Sequence, residues 1–325
     1  MLKTAMTELF GVKHPIVQGG MQWVGKAELI SAVANAGALG FLTALTQPTP
    51  EALSKEIKRC QDMTDMPFGV NLTILPTINP TPYDEYMDAI VQGGIKIVET
   101  AGRNPEPYLP LLKKNGVKVI HKCTSVRHGV KSEKVGCDAV SMDGFECAGH
   151  PGEDDVPNLV LLPAAADQLT IPMVASGGFG DGRGLVAALA LGACGINMGT
   201  RFMCTKESPV HDNVKQALVK ASERDTQLVY RKFRNTARIH KNSIAEEIHE
   251  IETTKPDATF EDIRHLAAGT RGASVYETGD IEAGVWSAGM VQGIINDVPT
   301  CAELVSRIVE EAEEIIERQK AMIAA

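Results

Sequence analysis

The residues able to do chemistry in this chain gather where short apolar runs end in glycine. The stretch 173–201, MVASGGFGDGRGLVAALALGACGINMGTR, reads as a buried strand, a glycine-rich turn, an apolar helix and a second buried strand that breaks at Gly199-Thr200. Gly177, Gly178 and Gly199 let backbone N–H groups come close to a ligand and open a helix N-terminus toward it, which favours a phosphate. Ser176 and Thr200 stand beside these turns. The run fails as a dinucleotide fingerprint, because Arg183 stands where the third glycine after Gly178-x-Gly180 should be.

Other strand ends add Gly20-Met21, Asn71 through Thr73, Thr100, Lys122 and Asp143. These are uncharged donors, backbone glycines, one lysine and one aspartate, with no carboxylate pair, no triad and no metal cage. The set suits a flat heteroaromatic ring with a phosphate tail better than a sugar or a peptide. The Asn71 amide and the Lys122 ammonium could hold the pyrimidine-like edge of such a ring, and Lys122 would favour negative charge developing there on reduction. Each residue also has a structural alternative: Lys122 in a salt bridge, Asn71 ending its strand, Asp143 capping a loop.

The segment GFECAGHPGEDD (144–155) follows the Asp143 strand end. His150 lies there between small residues and a proline, where a neutral imidazole could take or give a proton near neutral pH, or simply sit exposed. Ala148 and Gly149, just before it, join the candidate ligand contacts. Glu153, Asp154 and Asp155 suggest a divalent metal, but no second histidine at ligand spacing supports one, so a solvated turn is expected. Cys147 has nothing cationic beside it in sequence to activate it.

These positions need strands that end on one face. Strands are expected at Pro15–Gly20, Ala38–Thr43, Pro67–Leu72, Ile95–Thr100, Val117–Cys123, Cys137–Met142, Met173–Ser176 and Gly195–Met198. Helices are expected at Lys26–Ala36, Pro50–Met63 with Thr49 as N-cap, Tyr83–Gln92, Pro107–Asn115, Val126–Val135, Asn158–Leu169 and Leu185–Leu191. Eight modules, with two glycine turns after the last two strands, predict a (β/α)8 TIM barrel. A doubly wound sheet shares the alternation but not the count or the clamp. Thr73–Pro82 holds Pro76, Pro80 and Pro82 and reads as a stiff loop, either a lid or a plain connection. After Thr200 the pattern is helical without strands: Val210–Ser222, Asn235–Glu252, Phe260–Ala268, Met290–Ile295 and Ala302–Ala325. The barrel is thus expected over 1–205, and 206–325 as a helical extension on its top face, with a last helix that could return to it. Arg231, Lys232, Arg234, Arg238 and Lys241 form a basic cluster, read as a solvated helix face or as a contact to an anionic cofactor.

The 325 residues are 44% hydrophobic and 22% charged, enough for a sizeable core. A net charge of −9 argues against nucleic acid or an anionic membrane as partner. The N-terminus lacks the apolar core of a secretory signal, and the most apolar run is too short and glycine-broken to span a bilayer. Seven cysteines without a CxxC pair fit a cytoplasmic protein. Oligomeric state is not legible.

PIVQGGM, the Asn71 strand end, AGHPG and SGG…GRG…ALALGA…NMGTRF resemble the nitronate monooxygenase (2-nitropropane dioxygenase) family of FMN-dependent barrels, over almost the whole chain. The resemblance implies that the glycine turns hold the FMN phosphate and that His150 lies by the flavin as the base for nitroalkanes. The fuller strings GGMQWVG, GVNLTILPT, VETAG, HKCTSVRH, GFECAGHPGEDD and GGFGDGRG resemble the branch that reduces quinones with NAD(P)H. The nitronate enzymes proper carry a different residue where this chain has Pro151. Three readings follow: an NAD(P)H:quinone reductase passing hydride through FMN to a quinone, a monooxygenase of alkyl nitronates, and a non-flavin phosphate-binding barrel.

Overall fold

The computed structural model describes residues 2–75 and 81–323, so the part of the stiff-loop reading that rests on Pro76 and Pro80 lies outside the described residues. Eight parallel strands close into a barrel in chain order: β1 (Ile16–Gln18), β2 (Leu39–Thr43), β3 (Gly69–Ile74), β4 (Ile97–Gly102), β5 (Lys118–Cys123), β6 (Ala139–Asp143), β7 (Met173–Ser176) and β8 (Ile196–Met198). The ring is sealed where Ile16, Val17 and Gln18 pair with Ile196, Asn197 and Met198. Most strand residues are buried, because one face fills the barrel and the other meets helices.

Helices α1 (Ala5–Phe10), α2 (Ala27–Asn35), α3 (Pro50–Gln61), α4 (Tyr83–Gln92), α5 (Leu109–Lys114), α6 (Val126–Val135), α7 (Asn158–Ala166), α8 (Gly182–Ala190) and α9 (Thr200–Met203) complete this part of the chain. Thr49 caps α3 as its position predicts, accepting from the Ala52 N–H. The sequence reading had no α1. Thr4 and Thr7 form its capping box and Gly11 closes it at φ 69°. Its Met6 and Phe10 pack on Val17, Leu39, Ile97, Ile120 and Val174 inside the barrel. Met6 lies beside Gly195 and Pro15, at the starts of β8 and β1, so α1 closes the end opposite the strand C-termini.

Beyond α9 the expectation of helices alone is corrected. The described elements are α10 (Asp212–Lys220), β9 (Thr226–Val229), β10 (Ala237–His240), α11 (Ser243–Thr254), α12 (Phe260–Ile263), α13 (Gly269–Thr278) and α14 (Cys301–Ile323). β9 and β10 form an antiparallel hairpin, with Ala237 opposite Val229 and His240 opposite Thr226. All four β10 residues are buried, so the helical periodicity read across Asn235–Glu252 was false there. The helix begins only at Ser243, where the Asn242 side chain accepts from the Ala245 N–H. Glycines at 269 and 272 hid α13, and Met290–Ile294 is a 3₁₀ turn. α14 packs on α8 and α2, on the barrel's flank and not on its top face. No helix among the described residues is long and apolar enough to cross a membrane.

Candidate active site

A cavity of about 710 Å³ opens at the C-terminal ends of the strands, within the usual size of a ligand site. Its wall includes Gly20, Met21, Asn71, Thr73, Lys122, Asp143, Ala148, Gly149, His150, Ser176, Gly177, Gly178, Gly199 and Thr200, whereas Thr100, the other strand-end candidate, is buried behind it. The connection after each barrel strand leaves from this face, so residues far apart in sequence converge here.

Gly177 and Gly178 follow β7 with φ of 92° and 84°, a conformation that disfavours any side chain. A Cβ on Gly177 would lie 2.9 Å from both Cβ and N of Cys147. The turn is fixed from behind by buried Asn158, whose Nδ2 donates to the carbonyls of Ser176 (2.8 Å) and Gly177 (2.7 Å). Among the described residues the backbone N–H groups of Gly177, Gly178 and Gly199 have no acceptor in the protein, which leaves them to a bound anion. The expected use of a helix N-terminus needs correction. Asp181 already accepts from the Gly184 N–H (3.0 Å), and Glu311 of α14 accepts from the Gly182 N–H (2.7 Å), so α8 is capped internally. The N–H groups left without a partner are those on the two glycine turns themselves.

At the ring end, the Asn71 amide does not point freely into the cavity. Its Nδ2 donates to Glu99 at 2.7 Å, and its Oδ1 accepts from the Thr73 hydroxyl at 3.3 Å. Glu99, fully buried, also accepts from the Gly20 N–H at 2.8 Å and from Asn197 Nδ2 at 3.3 Å. This carboxylate escapes the sequence reading because that looks only to the end of each expected strand, here Thr100, whereas Glu99 lies inside β4, which runs to Gly102. A single acid within the apolar run IVETAG was the available signal. Lys122 Nζ lies 3.7 Å from Asp143 Oδ2, so the salt-bridge alternative holds while the lysine still lines the cavity. Burial alone would lower its pKa, but Asp143 and Glu99 outweigh that and raise it, so the ammonium stays charged. His121, also missed, is buried beside the cavity with Nδ1 2.8 Å from the Thr100 hydroxyl. Burial, with His128 nearby, pushes its pKa down to about 4.

His150 lines the cavity from an exposed position on the loop after β6. The surrounding walls lower its pKa and Glu153 opposes them, so the imidazole is neutral at neutral pH. Glu153, Asp154 and Asp155 are exposed, as a solvated turn requires, but two of them are also tied to the C-terminal part. Glu153 accepts from the Thr236 N–H (2.9 Å) and hydroxyl (2.6 Å), and Asp155 pairs with Arg231 at 2.7 Å. Gly149 and Arg238 exchange backbone hydrogen bonds, while the Arg238 guanidinium lies 4.5 Å over the Phe145 ring and donates to the Phe145 carbonyl at 2.9 Å. The basic cluster is thus no solvated helix face: Arg231 and Arg238 belong to the hairpin and hold this loop. No group of acidic, histidine and cysteine residues suited to a metal occurs among the described residues. Burial, with Asp143 adding to it, pushes the Cys147 thiol up, so it is no ready nucleophile.

The last wall comes from the C-terminal part, with Tyr276, Trp286 and Gly289. The Gly289 N–H donates to the Thr200 hydroxyl (3.0 Å), the Met290 N–H to the Glu146 carbonyl (3.1 Å), and Trp286 stacks on His240 at 4.2 Å. The cavity therefore offers unpartnered backbone donors on two glycine turns, a fixed cation, a buried network around Glu99 and a neutral histidine at the rim. Those features fit a flat ring with one phosphate, as FMN has.

The family model for nitronate monooxygenase matches residues 3–311. A (3aS,4S,5R,7aS)-5-hydroxy-7a-methyl-1-oxo-octahydro-1H-indene-4-carboxyl-CoA dehydrogenase of Rhodococcus jostii is 34% identical, over 96% of each chain. A probable nitronate monooxygenase of Staphylococcus saprophyticus is 30% identical, over 98% of this chain and 99% of its own. Among solved structures, FabK from Thermotoga maritima superposes with a TM-score of 0.91 at 33% identity, over 99% of this chain and 100% of that one. A nitroalkane oxidase from Streptomyces ansochromogenes gives 0.83 at 28% identity, over 97% of this chain and 100% of that one.

Proposed function

The chain belongs to the nitronate monooxygenase family of flavin-dependent oxidoreductases, and from that premise we propose that it is an FMN-dependent NAD(P)H:quinone reductase. The observation that carries the cofactor assignment is the pair of glycine turns with unpartnered N–H groups lining the same cavity as Lys122. They offer one phosphate-sized cradle and no second dinucleotide motif, which favours FMN over FAD. Gly177, Gly178 and Gly199 would hold the phosphate, with Ser176 and Thr200 beside them. Gly20, Met21, Asn71 and Thr73 would line the ring, and Asp143, Ala148 and Gly149 its far side. When bound, FMN supplies a ring that accepts a hydride from one substrate and gives it to another.

The chain's own residues set the conditions for that exchange. Lys122 keeps its charge and would favour electron density at the edge of a ring held near it. Glu99 holds the Gly20 N–H and the amides of Asn71 and Asn197 in one geometry, so no reorganisation is needed as charge arrives. Buried Tyr276 and Trp286 add uncharged aromatic side chains to the cavity lining, suited to a neutral aromatic acceptor. The quinone assignment is supported by the strings around Gly19–Gly25, 144–155 and 177–184 and by Pro151 after His150. All seven cysteines are free, and we read a cytoplasmic location from that.

Nitronate oxidation is the second reading, favoured by His150: a neutral imidazole at the cavity rim could remove the proton of a neutral nitroalkane. Anaerobic stopped-flow mixing, followed at the flavin band, separates the two. NADH or NADPH should bleach the wild type and a quinone restore it, and heat-released flavin should run as FMN. His150→Ala should leave the bleaching by NAD(P)H largely intact. A protein bleached rapidly by nitronate but by neither dinucleotide would overturn the quinone reductase.

A further inference from the structure

α6 follows β5, so its N-terminus stands at the open face of the barrel, where Thr124, His128, Lys131 and Ser132 line the cavity. Ser125 at the N-cap position makes no side-chain bond to the helix, which leaves the positive end of the dipole without a capping oxygen. From there Arg127, Lys131 and Lys134 follow at i, i+4 and i+7, on one exposed face. None of the three has an ion-pair partner among the described residues, in a chain whose net charge is −9. A shallow surface groove lined by Val126, Val130 and Gln168 together with these three cations shares Lys131 with the main cavity. Asp154 acts on His128 of this helix, and Glu133 is the acidic residue within the helix itself, where it accepts from the Thr170 N–H.

We infer that this face of α6 binds the anionic tail of a nucleotide-bearing second substrate, a diphosphate or ribose phosphate leading out of the cavity mouth. Three cations spread over about 10 Å of helix axis match a run of phosphates better than one isolated anion. Val126 and Val130 add apolar surface among the cations, which suits an adenosine there. The inference deepens the proposed function, since it takes the second substrate to carry such a tail. Two sources share this chemistry, a pyridine dinucleotide and a CoA thioester.

The test compares NADH, NADPH and a tail-less donor, 1-benzyl-1,4-dihydronicotinamide, in anaerobic reduction of wild type and of the Arg127→Glu/Lys134→Glu double variant, each normalised to its flavin content. The Kd for NADPH should rise about tenfold in the variant relative to that of the tail-less donor, and in wild type should weaken as salt goes from about 20 to about 300 mM. The Arg127→Gln/Lys134→Gln pair should give a smaller rise of the same sign. Competition by ADP or 2′,5′-ADP that the reversal weakens assigns the site to a dinucleotide; competition by CoA alone, weakened likewise, assigns it to a thioester. A wild type reduced by NADPH with an affinity that neither variant moves overturns the inference and leaves the proposed function standing. A wild type reduced by no hydride donor refutes the proposed function instead. Calorimetric titration with CoA then decides the site, and binding that is absent or unmoved by the reversal overturns it.

Discussion

At the scale of single residues, the site is built on groups that are charged or neutral because of where they are buried. Glu99 is tolerated in the barrel because three N–H donors converge on it, and Lys122 because Asp143 and Glu99 face it. His121 is the opposite case, a histidine kept neutral by burial, with a pKa of about 4 against about 6.5 in an unfolded chain. As pH falls, the unfolded state takes up this proton first, so stability is complete above about pH 6.5 and is lost on the way down to about pH 4. The difference is worth about 3 kcal/mol in total. His121→Gln should therefore flatten the slope of the urea midpoint between those limits. Equal slopes for variant and wild type would show that His121 takes its proton as easily folded as unfolded.

At the scale of elements, the hairpin of β9 and β10 is the device that gives the His150 loop one conformation. It supplies a backbone bridge at Gly149, a carboxylate latch at Glu153, an ion pair at Asp155 and the Arg238 guanidinium against Phe145. The Arg231–Asp155 pair is half-exposed and adds little; buried Arg238 is the stronger tie, because its loss leaves the Phe145 carbonyl and the Thr226 hydroxyl without their donor. Arg238→Ala should cost about 2 kcal/mol locally. Amide exchange across 145–155 should speed up, while the protection of the barrel strands stays as it was. Unchanged exchange in that loop would mean that the loop holds itself.

At the scale of the whole molecule, the last helix is tied to the barrel by both packing and a cap. Leu304, Val305, Ile308 and Ala312 of α14 are buried, and Gly182 of α8 lies against its backbone near Ile308 and Ala312. Glu311 reaches across 129 residues of sequence to accept the Gly182 N–H, so it occupies the helix end that the sequence pattern offered to a phosphate. Glu311→Ala should cost about 1 kcal/mol, as loss of a cap does, and lower Tm by roughly 2 °C. Flavin content should not change if the phosphate is held, as we propose, on the glycine turns. A variant that lost flavin would return the phosphate to α8.

The chain by itself determined the eight modules and the glycine turns, and the strand ends to within two residues. Those are local signals: an apolar run with both faces buried, a residue that alone tolerates φ near 90°, a cap such as Thr49. It also determined that Gly20, Asn71, Lys122, His150, Gly178 and Gly199 should meet, because in a barrel every strand end faces one mouth. What each of them does there was decided only by tertiary structure. Asn71 turned out to be bound to Glu99, and the end of α8 to Glu311. Glu153 and Asp155 met a hairpin that helical periodicity had concealed. Each of these is a polar partner chosen across 28 to 129 residues of chain. Apolar periodicity records which face is buried, but it carries no record of which distant donor a carboxylate will find.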